Sequence, residues 1–165
     1  VLTALAIASV LFAVGLGGFI YYMVRPRGEL VGAVSLGEPQ TALRVDGKPG
    51  EVLVFRVNAS VGLPKLTLQD DDHVERRASQ QLQRSLLTVR ATAPSGKERS
   101  SSCAVYKGRA MSTTTTPGAL SRSGMLNDCS ILLDEAGAWQ VRGSVAWSSD
   151  LVLHNAELET RRVAP

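Results

Sequence analysis

The sequence predicts an antiparallel β-sandwich, of jelly-roll or immunoglobulin-like topology, carried behind a single N-terminal transmembrane helix. Three observations point there. No charged side chain occurs before Arg25. Beyond residue 50, short stretches alternate apolar with polar residues at period two, with Gly, Pro, Asn and Asp clusters between most of them. No strongly amphipathic helix interrupts them, so the apolar faces have only one another to pack against, which is the layout of two facing sheets.

The anchor is the run Val1–Val24. Thr3 and Ser9 are its only polar groups ahead of Tyr21 and Tyr22, and Arg25, Pro26 and Arg27 end it. At about 1.5 Å per residue, two dozen helical residues span about 36 Å, more than a hydrocarbon core of about 30 Å. A cleavable signal peptide would carry a shorter apolar core and a small-residue cleavage site; this run ends instead in Phe19, Ile20, Tyr21, Tyr22 and Met23. A lipid bilayer is therefore the first expected partner.

Within the run, Ser9, Ala13 and Gly17 recur every four residues. Small residues on one helical face let a second helix approach closely, so this stripe is the expected packing face toward other transmembrane helices or subunits of a membrane complex. Tyr21 and Tyr22 suit the headgroup level, with Arg25 and Arg27 at the membrane edge. Those arginines alone would favour a cytoplasmic domain. The cysteine pair discussed below favours an oxidising compartment, and the C-terminal domain is expected to be extracytoplasmic, periplasmic or extracellular.

Residues 25–50 are expected to form a juxtamembrane segment, a linker and a first strand, and 51–165 the sandwich. Gly28 to Gly50 holds glycines and prolines around two short apolar pieces, Leu30 to Val34 and Ala42 to Val45, and Asp46-Gly47-Lys48-Pro49-Gly50 is a turn cluster. In Val52 to Ala59, Leu53, Phe55, Val57 and Ala59 share one strand face. Leu63 to Leu68 is a second short strand candidate. From Gln69 to Arg84 the chain is polar, and Val74, Ala78 and Leu82 at intervals of four allow either a short surface helix or a loop. Strands resume at Leu86 to Ala93 and Arg99 to Lys107. Ala110 to Gly124, with its four consecutive threonines, is expected as a low-complexity loop. Cys129 to Leu133 is the next strand. Trp139, Val141, Gly143, Val145 and Trp147 then give the clearest alternation in the chain. A last strand, Leu151 to Thr160, precedes a frayed tail, Arg161 to Pro165.

The chemistry-bearing residues are few. Cys103 and Cys129 are the only cysteines, both on expected strands, and form the candidate disulfide; they lack the Cys-x-x-Cys spacing of a redox pair. Asp70, Asp71, Asp72 and His73 read as a solvated acidic turn, because no glycine follows at calcium-loop spacing. His73 and His154 are the only histidines and imply no zinc site. No serine sits in a glycine-flanked elbow, and no phosphate-cradling glycine loop lies outside the apolar run. Metal, cofactor and catalytic residue are all expected to be absent. Asn58-Ala59-Ser60 matches the glycosylation sequon. Without Arg25 and Arg27 the chain carries 16 basic against 15 acidic side chains, with no basic run to track a phosphate backbone, so nucleic acid is not an expected partner.

The composite expectation is a non-catalytic accessory or structural subunit of a membrane complex. The alternative is a tethered module for carbohydrate or peptide, which would need an exposed tryptophan or tyrosine. Trp139 and Trp147 share a face with Val141 and Val145 and are expected in the core.

Overall fold

A computed structural model describes residues 28–37, 41–63, 71–116 and 119–165. The expected membrane span Val1–Val24 lies outside the described residues, and so do Ser9, Ala13, Gly17, Tyr21, Tyr22, Arg25 and Arg27. Among the described residues no helix is long and apolar enough to cross a membrane.

Among the described residues nine strands and one helix follow one another as β1 (Glu29–Ser35), β2 (Leu43–Gly47), β3 (Val52–Gly62), α1 (Asp71–Arg84), β4 (Leu86–Thr92), β5 (Glu98–Ala104), β6 (Ser112–Thr116), β7 (Ala119–Leu132), β8 (Gly137–Ala146) and β9 (Val152–Val163). They form two antiparallel sheets: five strands in the order β1-β9-β3-β7-β6, and four in the order β2-β8-β4-β5. First pairs with last and second with next to last, as β1 with β9, β2 with β8 and β3 with β7, while β4 and β5 form the innermost hairpin.

The alternation dictates which side faces in. Leu53, Phe55, Val57, Ala59 and Val61 of β3 are buried, as are Leu87, Val89 and Ala91 of β4, and with Trp139, Val141, Ala156 and Leu158 they fill the space between the sheets. Trp139 is fully buried, and its indole Nε1 donates to the Glu135 carbonyl at 3.1 Å. Gly143 breaks the apolar face for a packing reason: a Cβ there would lie 2.5 Å from Leu158 Cδ2 of the facing sheet.

Several expectations are corrected. Residues 25–50 contribute two full strands, since β1 is hydrogen-bonded to β9 and β2 to β8, so the sandwich begins at Glu29. The threonine stretch is not a loop: β6 pairs antiparallel with the first residues of β7, Ala119 to Ser123, which suits β-branched side chains at an edge. The C-terminal tail is not frayed, because β9 continues to Val163 and pairs with both β1 and β3. Of the two readings open for the polar stretch, the helix is the one formed, over Asp71–Arg84, with Ala78 and Leu82 buried one turn apart. Leu63 to Leu68 falls almost wholly outside the described residues.

The open side of the sandwich is closed covalently. Cys103 on β5 and Cys129 on β7 are disulfide-bonded, with Cα atoms 5.5 Å apart, and so join the edge of the four-stranded sheet to the five-stranded one. The Ser130 backbone N–H donates to Ser101 Oγ across the same seam.

Candidate interaction face

The outer face of the five-stranded sheet is unlike an ordinary solvated face. Cross-strand partners share a side, so its composition can be read from the register. At the end where β1 begins, Leu132, Val52 and Val163 lie in one row across β7, β3 and β9. Gly28 closes that row, so near that a Cβ on it would sit 2.9 Å from Val163 Cγ2. The next row is Ser130, Val54, Arg161 and Leu30. Leu126, Arg56, Glu159 and Ala33 make a third.

Six large apolar side chains are exposed among the described residues: Leu30, Leu86, Met111, Leu126, Leu132 and Val152. Five share this outer face. Leu30, Leu126, Leu132 and Val152 do so by register, and Met111 because its Sδ accepts from Arg56 Nη1 at 2.9 Å. Leu86 alone belongs to the other sheet. Scattered apolar residues on a surface need no explanation, but Leu30 and Leu132 beside Val52 and Val163, with Leu126 and Met111 further along, do; Val152 stands apart at the other end of the face.

Arg56 lies under this cover, only 7% exposed although its strand position points outward. Burial first, then the like charge of Arg161, hold its guanidinium below the ordinary arginine value, and Glu159 opposes them. Arg161 is itself engaged: Nη1 donates to Glu159 Oε1 at 2.5 Å, while Nε and Nη2 both donate to the Gly28 carbonyl. Arg162 donates to the Asp46 carbonyl and to Glu29 Oε2, and the hydrogen bond to Glu29 holds it above the ordinary arginine value.

Further along, between Leu126 and the far-end Val152, the face turns polar. Asn58, Ser60, Ser121, Ser123, Asn155 and Glu157 line a groove of about 270 Å³, walled by Ser112 and Thr114 of β6. Ser121 donates to Ser60 across the strands, and Asn58 Oδ1 accepts the Gly124 backbone N–H at 2.6 Å, which leaves its amide N–H groups free to donate. Asn58, the sequon residue, thus sits half-buried in the middle of a central strand.

The other candidates stay apart. No group of His, Cys, Asp and Glu among the described residues is arranged to hold a metal. His154 is exposed on β9, Asp70 lies outside the described residues, and α1 begins at Asp71. Trp147 is half-buried against the core, and the rings of Phe55, Tyr106 and Trp139 are buried, so none of these presents an open stacking platform.

This apolar face was not singled out in the sequence, yet it left a trace there. Val52-Leu53-Val54-Phe55 and Ile131-Leu132-Leu133 are unbroken apolar runs where a half-solvated strand would alternate. No known family, curated protein or solved structure matches this chain.

Proposed function

We propose that the chain is a single-pass, non-catalytic accessory subunit of a larger membrane protein complex, displaying its sandwich at the extracytoplasmic membrane surface. The observation that carries this reading is that five of the six exposed large apolar side chains among the described residues share one sheet face. Support comes also from the uncharged run Val1–Met23, with its Ser9, Ala13 and Gly17 stripe for another helix, and from the Cys103–Cys129 pair, which suits an oxidising compartment. The nested pairing favours a jelly roll, with β6 as an added edge strand, over the immunoglobulin order.

The test is extraction and size. Full chain expressed in membranes should resist alkaline carbonate, and after mild detergent should migrate as an assembly larger than one chain with its micelle. Replacing Ala13 or Gly17 by Leu should reduce it to the single-chain species. Release by carbonate, or single-chain migration of the parent, would overturn the reading.

The polar groove favours a second reading, a tethered module for carbohydrate or peptide. Its hydroxyl and amide groups could bond a polyol, but none of the described aromatic residues opens beside it to give the usual stacking surface. Saturation-transfer NMR against oligosaccharides would read it out, and no transfer would dismiss it for sugars.

A further inference from the structure

We infer that the β1 end of the interaction face rests in the headgroup layer of the bilayer, with lipid itself as the occupant of the Leu132, Val52 and Val163 row. This rests on the membrane-anchored reading and adds to it an orientation and a partner chemistry: Leu132 and Leu30 go to lipid, and Leu126, Met111 and Val152 of the same face are left to a protein partner.

The first argument is reach. Only residues 25–28 separate the end of the apolar run at Val24 from the first residue of β1. Fully extended, four residues cover at most about 14 Å, and the polar layer on each side of the hydrocarbon core is itself about 5–8 Å thick. The β1 end of the sandwich is therefore held within about 10 Å of the headgroup layer.

The second argument is what it presents there. Gly28 opens directly onto the row of Val163, Val52 and Leu132, and Leu30 stands in the row behind it. Leu132 is 59% exposed and Leu30 55%, the two highest values among the large apolar residues of the described chain. Side chains that are costly to leave in water thus crowd the one end the tether holds against lipid.

The third is charge. An interfacial seat must not drag unpaired ions out of water. Arg161 is bonded to Gly28 and Glu159, and Arg162 to Glu29 and the Asp46 carbonyl, so the arginines nearest the row are neutralised within the domain. The polar groove occupies the far end of the same face, where contact with lipid would be unfavourable, and this orientation leaves it in solvent. A second chain or a partner subunit would explain the apolar row but not its placement beside the tether.

The experiment uses full chain in phosphatidylcholine vesicles, labelled with an environment-sensitive fluorophore through L132C or, at the far end of the same face, T114C. The native cysteines are paired and leave only the introduced thiol to react. Expected is several-fold stronger quenching of the L132C probe than of the T114C probe by spin-labelled lipid, and the reverse with aqueous iodide. Equal iodide quenching at both positions, in vesicles that keep the chain through an alkaline wash, overturns the inference and leaves the anchored reading standing. So does an L132C probe shielded from iodide yet untouched by spin-labelled lipid, the signature of protein contact. Loss of the chain in the alkaline wash overturns the anchored reading, and the inference with it.

Discussion

Arg161 donates twice to a single carbonyl, that of Gly28, from Nε at 3.2 Å and Nη2 at 3.0 Å, across a separation of 133 residues. The last strand thereby grips the chain at the point where the sandwich begins. Substituting Arg161→Ala should free the start of β1 and cost about 1.5–3 kcal/mol, the range for bonds to a charged group. It also leaves Glu159, which is largely buried beside it, without its partner. Amide exchange should rise in residues 29–35 well before it rises in β3, and a urea titration should show the loss; unchanged exchange in β1 would refute the clamp.

The disulfide is the counterpart of that clamp on the other side of the sandwich. Cys103 and Cys129 are 26 residues apart, and a cross-link closing a loop of that size contributes about 3 kcal/mol by restricting the unfolded chain. The C103A/C129A double variant should keep the fold, because both positions accept small apolar groups, but lose about that much stability. Its weakened region should be the β5–β7 seam. Intact mass after thiol alkylation, with and without reductant, should show two reactive thiols only after reduction.

Arg122 is a costlier way of holding an element in place. It points inward from β7, is only 4% exposed, stacks over the Tyr106 ring at 4.5 Å and donates to Glu75 and Ser79 of α1. Its Nε and Nη1 groups are buried without a partner among the described residues. Because desolvating an ion can outweigh its attraction to a partner, Arg122→Met should be close to neutral in global stability, within about 1 kcal/mol, while loosening α1. Glu75→Ala should be worse, about 1–3 kcal/mol, even though Glu75 is half-exposed, because it strands the guanidinium. Equal losses from the two substitutions would sink this ordering.

Much of the architecture was legible in particular residues. The alternation around Leu53 and around Trp139 marked strands whose inward side chains are buried, and Cys103 and Cys129 announced a pairing that the structure contains. The threonines of β6 were misread because the expected loop was inferred from low apolar content, whereas an edge strand needs only one hydrogen-bonded neighbour and no buried face. Arg161 and Arg162 were misread as a tail for a similar reason: their partners, Gly28, Glu29 and Asp46, are remote in sequence. The apolar outer face was invisible as a unit because its rows are assembled from four strands, and only their register brings Leu132, Val52 and Val163 together.

The seam closed by the disulfide also carries a pH-sensitive contact. Asp134 accepts from Arg99 Nη2 and lies 3.4 Å from Lys97 Nζ, and the Arg99 hydrogen bond holds its carboxyl below the ordinary aspartate value. A depressed carboxyl in the folded state means that the unfolded chain takes up its proton first as pH falls. The contribution is therefore present in full above the unfolded value, about 4, and is lost as pH drops through the folded one. Because the carboxyl is open to solvent, the effect should be small and should shrink with added salt. The urea midpoint of the parent should decline more steeply below about pH 4 than that of Asp134→Asn, and the two curves should converge at the acid end. Parallel curves across that range would show that the Asp134–Arg99 pair contributes nothing to folding.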